Sequence, residues 1–420
     1  MTERHTHIIG AGLAGLQSAL QLTLAGLPVT LYEAAPFAGG RCRSFMDREL
    51  GCRLDNGNHM VLSGNVAVQD YLYLTNALDT MERSPKAVFP FMDAQTGKKW
   101  EIRMNDGSFP WWVFSKKRRV PNTRWVDYLS AALPILRAGA ETKLGDVLNP
   151  DSPLYRGFWE PFIIGALNTE IESASASLLR SVLIQSFGAG GKACAPMIPK
   201  VGLSESFVQP CLNVLRQYEV DLRTTHRLRS ILWEGNQARE LVFSNGNRVE
   251  MGPKDWLILA LPAWFMRELL PEVSTPTEFR SILNAHFRVE GIEGRTGFTG
   301  VVGGYAEWIF LRDGVASVTL SCAERHAEIP TRAMAGLVWK EVAKFLDKDP
   351  ETPPPHRIFL EKYATFAATP EQNLRRPSAY TGWDNVALAG EWTATGLPST
   401  IEGALRSGIR AAQTVMRWAG

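Results

Sequence analysis

Hydrophobic positions along this chain fall into two periodic blocks, one near each end, separated by aromatic-rich stretches. In the first block His7-Ile8-Ile9 predicts a short buried strand, and residues 16–25 carry apolar side chains at helical spacing. Residues 27–32 predict a second strand, which ends at Glu33. From residue 220 the pattern is β-rich: 220–223, 229–233 and 240–243 predict strands, Asn245-Gly246 a hairpin turn, and 248–250 the returning strand of a meander. Residues 256–260 predict an apolar strand ended by Pro262. Near the C-terminus, 385–390 predict one more buried strand, and a loop leads to a helix from Ser399 to about Trp418. Ser399-Thr400-Ile401-Glu402 has the S-x-x-E spacing of a capping box, so Ser399 is the expected cap and Glu402 its reciprocal partner. A place for Glu402 in an active site is the alternative.

The glycines after the first strand change what this pattern means. Gly10-Ala11-Gly12-Leu13-Ala14-Gly15 sets G-x-G-x-x-G between a strand and a helix. There Gly10 permits a tight turn, Gly12 removes the Cβ that would block a pyrophosphate, and Gly15 lets helix and strand approach. The helix start turns its free amides toward phosphate charge. Glu33 is placed to accept both ribose hydroxyls. An ordinary glycine-rich turn is the competing explanation, and the flanking strand and acid argue against it. Gly39-Gly40-Arg41-Cys42-Arg43 follows almost at once, a signal that nicotinamide enzymes do not need. It favours FAD, with Gly39 and Gly40 opening a path beside the cofactor and Arg41 forking onto the pyrophosphate. Arg43 either shares that task or is a solvated surface cation.

Asp55-Asn56-Gly57-Asn58-His59 combines polar side chains with exposed amides, as a loop bordering an isoalloxazine ring would; an Asx-type turn is the alternative. At the other end Gly390 and Glu391 close the last strand, and Pro398, Ser399, Thr400 and Ile401 open a helix whose amides favour negative charge on the reduced ring. Leu228 is a candidate for backbone contact with adenine. The terminal segment has no Cys or His, so FAD is expected to be non-covalent. The expected fold is α/β: a Rossmann-like FAD-binding domain of residues 1–84, 195–264 and 366–420, with a discontinuous, mixed α+β substrate-binding domain of 85–194 and 265–365. A second glycine cluster, Gly188-Ala189-Gly190-Gly191-Lys192-Ala193, precedes Pro196 and Pro199, which forbid the helix a second nucleotide domain would need.

A chain of 420 residues holds two or three cores, and Lys+Arg (45) nearly balances Asp+Glu (43), which argues against nucleic acid as a partner. The five cysteines show no metal-ligand spacing, so no metal and a reducing compartment are expected. No signal peptide is read before the first strand and no apolar run approaches the ~20 residues that span a bilayer, so the expected location is cytoplasmic, soluble or peripheral on the inner membrane. Phe109-Pro110-Trp111-Trp112-Val113-Phe114 stands beside Lys116-Lys117-Arg118-Arg119. That pairing suits peripheral contact with an anionic membrane, or else a substrate-domain strand with a solvated basic turn.

Together these motifs resemble the amine oxidase and phytoene desaturase superfamily of flavoproteins, and within it the squalene-associated desaturase group, the hydroxysqualene dehydroxylases of bacterial hopanoid synthesis. The resemblance spans nearly the whole chain. It is carried by Gly10 to Gly15, Gly39 to Ser44, Asp55 to His59 with Leu62-Ser63-Gly64-Asn65, Ala166-Leu167-Asn168-Thr169, and Thr395 to Ala404. The first and last of these mark the superfamily; 55–65 and Trp111-Trp112 to Pro121 point to the narrower group. Glu391 departs from it, since the superfamily usually has Asp there, which alters the reach of the flavin contact.

The resemblance implies that hydroxysqualene loses its hydroxyl as water and receives a hydride from reduced flavin, giving squalene. Loss of the hydroxyl needs a general acid, for which Asp55 and His59 come first and Glu402 third. It also implies an external reductant of the flavin, of unstated identity, and a hydrophobic isoprenoid substrate that needs no charged clamp, each buried methylene contributing about 0.8 kcal/mol. An oxidising polyene desaturase and a non-catalytic prenyl-ligand carrier are the alternatives.

Overall fold

In the computed structural model, which describes residues 4–419, the apolar strands of both terminal blocks meet in one parallel sheet. Its order is Asp221–Arg223, Val29–Tyr32, Thr6–Ile9, Trp256–Leu259, Val386–Leu388. Four of these strands are buried along their whole length, because both faces of the sheet are covered. Ile8, Leu31, Ile258 and Ala387 face helix α1 (Leu13–Leu24) and the C-terminal helix (Ile401–Ala419). Ile9, Leu257, Leu259 and Leu388 face the opposite way, in one cluster with Leu228, Leu241 and Phe243 of an antiparallel meander. The meander is Leu228–Glu234, Gln237–Phe243 and Arg248–Glu250. The expected first strand of that meander instead pairs parallel with Val29–Tyr32 and ends the main sheet.

Helix α1 starts at Leu13, three residues before the apolar periodicity begins, since Gly12 is its N-cap in extended conformation. A second, seven-stranded sheet takes strands from both aromatic-rich stretches. Its order is His356–Phe366, Phe279–Arg288, Val315–Ser321, Trp308–Arg312, Thr296–Val302, Val88–Asp93, Lys99–Arg103. Met334, Val338 and Val342 of the helix Thr331–Leu346 pack on one face, beside Ala285, Phe287 and Val318.

The prolines after the second glycine cluster act as expected: two short 3-10 turns lead into the strand Pro196–Pro199, with no helix. The aromatic stretch at 109–114 is not a strand; Trp111–Phe114 is a 3-10 turn that leads to helix α3 (Trp125–Arg137). All five cysteines are free and buried. Among the described residues no helix is long and apolar enough to cross a membrane.

Candidate active site

The three glycines of the first loop differ in what they make room for. A Cβ on Gly10 would sit 2.4 Å from the Ala260 carbonyl oxygen, and one on Gly15 would sit 1.9 Å from that of Gly10. Both glycines are therefore required by the protein itself, and Gly10 also has φ +104°. Gly12 has an ordinary φ of −72°, and a Cβ there would meet nothing within 4 Å. The protein leaves open space beside that glycine, and the amides of Leu13, Ala14 and Gly15 open the helix at the same point. Gly39 and Gly40 close over this loop: the Gly39 amide donates to the Ala11 carbonyl (2.8 Å), and a Gly40 Cβ would lie 3.4 Å from Gly12 Cα.

Glu33 accepts from the Ala11 amide and the Ala35 amide, both at 2.8 Å, one on each carboxylate oxygen. A carboxylate has about four lone-pair sites, so two remain for ribose hydroxyls. Leu228 lies near this end, because the His226 amide donates to the Glu33 carbonyl (2.8 Å); its side chain is buried opposite Phe243.

Arg41 follows the two glycines that close over that loop. Its guanidinium is 2.7 Å from Glu391 and donates to the Ala364 carbonyl at 2.7 Å, which ties the N-terminal block to the C-terminal loop. Arg43 lies over the Phe37 ring at 4.5 Å, so it is a stacked cation rather than a free one. Gly390 has φ +149° and donates its amide to Ser407 Oγ (2.9 Å) on the C-terminal helix.

That helix start corrects the expected capping box. Thr400, not Ser399, is the cap: its Oγ1 accepts from the Gly403 amide at 3.0 Å. Ser399 Oγ is buried without a hydrogen-bond partner, an unmet polar atom beside Pro398 and Ile401 that suits a flavin carbonyl or ring nitrogen. Glu402 does cap a helix, but a different one. Its carboxylate accepts from the Ala67 and Val68 amides (3.1 and 2.9 Å) at the start of α2 (Val66–Leu74) and pairs with Arg406 at 2.7 Å.

The loop bordering the large sheet separates the remaining acid candidates. Asp55 is buried and held from three directions: it accepts from Ser44 Oγ (2.6 Å) and the Leu203 amide (3.0 Å) and pairs with Arg312 at 2.7 Å. Gly57 lies beside Asn284, and Asn58 donates to Thr319 Oγ1 at 3.0 Å. His59 lines a small cavity with Asp55, Phe310, Leu311 and Arg312. Burial lowers its pKa, with Asp55 opposing and Arg41 adding to the shift.

Sequence reasoning missed Arg376, which is buried and donates to the carbonyls of Glu391 (3.0 Å), Trp392 (3.3 Å) and Thr393 (2.5 Å). It shapes the C-terminal loop, and burial lowers its pKa to about 10. No motif surrounds it; its one sequence signal is a cation just ahead of Pro377 in the loop that precedes the last strand.

With the geometry in place, the flavin containing amine oxidoreductase model matches residues 13–416. The hydroxysqualene dehydroxylase of Sinorhizobium fredii is 43% identical over 98% of this chain and 98% of its own, and that of Zymomonas mobilis 40% over 98% and 99%. The chain belongs to the flavin containing amine oxidoreductase family, among the hydroxysqualene dehydroxylases. It is a flavin-dependent oxidoreductase. A probable zeta-carotene desaturase of Synechococcus elongatus is more distant, 25% identical over 63% of this chain and 60% of its own. An oxidoreductase structure from Methanosarcina mazei shares the fold, with a TM-score of 0.72 at 16% identity over 98% of this chain and 100% of its own.

Proposed function

We propose that this enzyme binds FAD without a covalent bond and reductively removes the hydroxyl of hydroxysqualene, giving squalene in triterpenoid synthesis. The observation that carries this reading is full-length identity to hydroxysqualene dehydroxylases, against a partial and weaker likeness to a carotene desaturase. FAD is favoured by the free space at Gly12, which suits a pyrophosphate, and by the spare lone pairs of Glu33, which suit a ribose. When bound and reduced, the flavin supplies the hydride.

The chain's own residues then have separate tasks. Residues 1–84, 195–264 and 366–420 hold the cofactor, and 85–194 and 265–365 enclose the hydrocarbon. Gly390, Glu391, Pro398, Ser399, Thr400 and Ile401, together with Gly57, Asn58 and His59, would hold the flavin. Asp55 and Glu402 are held in ion pairs and amide hydrogen bonds, and we assign them positioning roles. His59, whose ring is free of such a network, is our candidate to protonate the departing hydroxyl. A lowered pKa makes its protonated form a stronger acid, so turnover should rise as pH falls. An external reductant must reload the flavin, and a water-insoluble substrate suits a cytoplasmic enzyme in peripheral contact with the inner membrane.

Incubation of purified enzyme with FAD, a chemical reductant and hydroxysqualene should give squalene by mass spectrometry. His59→Gln should lower turnover by about 10²–10⁴-fold with flavin content unchanged. Unreacted hydroxysqualene alongside oxidation of a polyene would replace this reading with the desaturase one.

A further inference from the structure

Helix α3 is apolar on two sides. Tyr128 and Ile135 point into the core, whereas Trp125, Leu129, Leu133 and Leu136 are exposed. Steps of four, four and three residues put those exposed side chains on one stripe. The stripe continues into the turn before it: Trp125 lies 5.7 Å from Phe114, Phe114 lies 6.1 Å from Trp111, and Trp111 lies 4.4 Å from Phe109, ring centre to ring centre. Trp111 is 65% exposed. Around this surface stand Lys116, Lys117, Arg118, Arg124 and Arg137, all exposed. Asp127 is the one acid between residues 109 and 137; it accepts from the Arg124 amide at 2.6 Å and pairs with the Arg124 guanidinium at 3.5 Å, which leaves Lys116, Lys117, Arg118 and Arg137 in excess.

We propose that α3 and the aromatic turn before it form a docking surface for an anionic lipid bilayer, through which the isoprenoid substrate enters. The entry part of this inference rests on the hydroxysqualene reading. The charge selects the occupant: a two-fold contact between copies of the chain would bring two clusters of cations together, whereas anionic headgroups neutralise them. Exposed Trp and Phe beside Leu suit the boundary between headgroups and acyl chains. Beneath the surface, Trp112, Val113, Tyr128 and Ile135 belong to the same apolar cluster as Phe158, Trp308 and Trp392, the last adjoining Glu391. A cleft of about 380 Å³ at the end of α3 is lined by Ala138 and by Gly396 of the C-terminal loop. That cleft is also lined by Leu178 and by the polar Ser177, Arg180, Ser181 and Asn373, and it opens beside the C-terminal loop.

Full-length enzyme should be co-sedimented with phosphatidylcholine vesicles, with and without phosphatidylglycerol. Partitioning onto the anionic vesicles should be at least about tenfold stronger and fall with added salt. Lys116→Glu/Lys117→Glu/Arg118→Glu should abolish that preference, and Leu129→Glu/Leu133→Glu should weaken binding to both vesicles by about tenfold or more. Unchanged flavin content and melting temperature would establish that these surface variants remain folded. The leucine variant should lose turnover of vesicle-held substrate and keep turnover of detergent-dispersed substrate. Equal pelleting of wild type and both variants would overturn the proposal. So would a dimer that the leucine variant breaks while vesicle binding is untouched. Vesicle binding is read without substrate, so docking with no squalene formed would support the surface and count against the reaction.

Discussion

Arg41 and Glu391, from opposite ends of the chain, lie 2.7 Å apart, and the same guanidinium donates to Ala364 in the large sheet. One side chain thereby joins the N-terminal glycine block, the C-terminal loop and the substrate-side sheet. Glu391→Ala should leave a half-buried cation without its carboxylate, lowering stability by about 1–2 kcal/mol and weakening flavin retention. Glu391→Asp, the residue usual in the superfamily, should recover part of both. Urea unfolding and flavin titration of the apoprotein measure the two effects.

Gly408 controls how closely the two ends of the chain pack. A Cβ there would lie 2.4 Å from the Ala14 carbonyl oxygen and 2.9 Å from Gln17 Cβ. Gly408→Ala should push the C-terminal helix from α1, with a loss of about 1–3 kcal/mol and a loss of flavin affinity. Gly336→Ala is the contrasting case. It lies inside the helix Thr331–Leu346 with nothing within 4 Å of its Cβ position, and should gain about 0.5–1 kcal/mol with flavin affinity unchanged.

Glu402 distinguishes a structural acid from a chemical one. Glu402→Gln should weaken the cap on α2 and the pair with Arg406, lowering stability by about 1–3 kcal/mol, while turnover per bound flavin stays at the wild-type level. Turnover that collapses at unchanged stability would place Glu402 in the chemistry instead.

The stability of the protein should decline on the acid side through His286. This ring is buried, with Nδ1 at 2.8 Å from Ser317 Oγ, and burial lowers its pKa to about 4. Below its ordinary value of about 6.5 the unfolded chain takes up a proton that the folded protein refuses, so stability falls with pH and levels off near 4. The full effect is about 3 kcal/mol at about 1.4 kcal/mol per unit. His286→Gln should flatten that slope in urea unfolding series across the window; an unchanged slope would assign it to other groups.

Much of this was legible along the chain because parallel strands buried on both faces are short apolar runs, and because a nucleotide turn needs glycines at set offsets. The strand at 221–223 joins the main sheet rather than the meander, a choice the sequence does not make, because exposed Asp and Arg around one Leu suit a sheet edge of either kind. Ser399 and Glu402 had capping-box spacing, yet spacing does not show which helix a carboxylate faces; only the approach of α2 takes Glu402 away. Arg376 was illegible, since its partners are carbonyls brought to it by a fold rather than neighbours in sequence. The outward stripe of α3 becomes visible only where the fold shows which side of the helix is left uncovered.

Anaerobic mixing of reduced, flavin-loaded enzyme with hydroxysqualene tests the central claim most directly. The account predicts that the oxidised-flavin absorbance returns in a single turnover with one squalene formed per flavin. Flavin that stays reduced in the presence of hydroxysqualene, in enzyme that binds FAD normally, would contradict it.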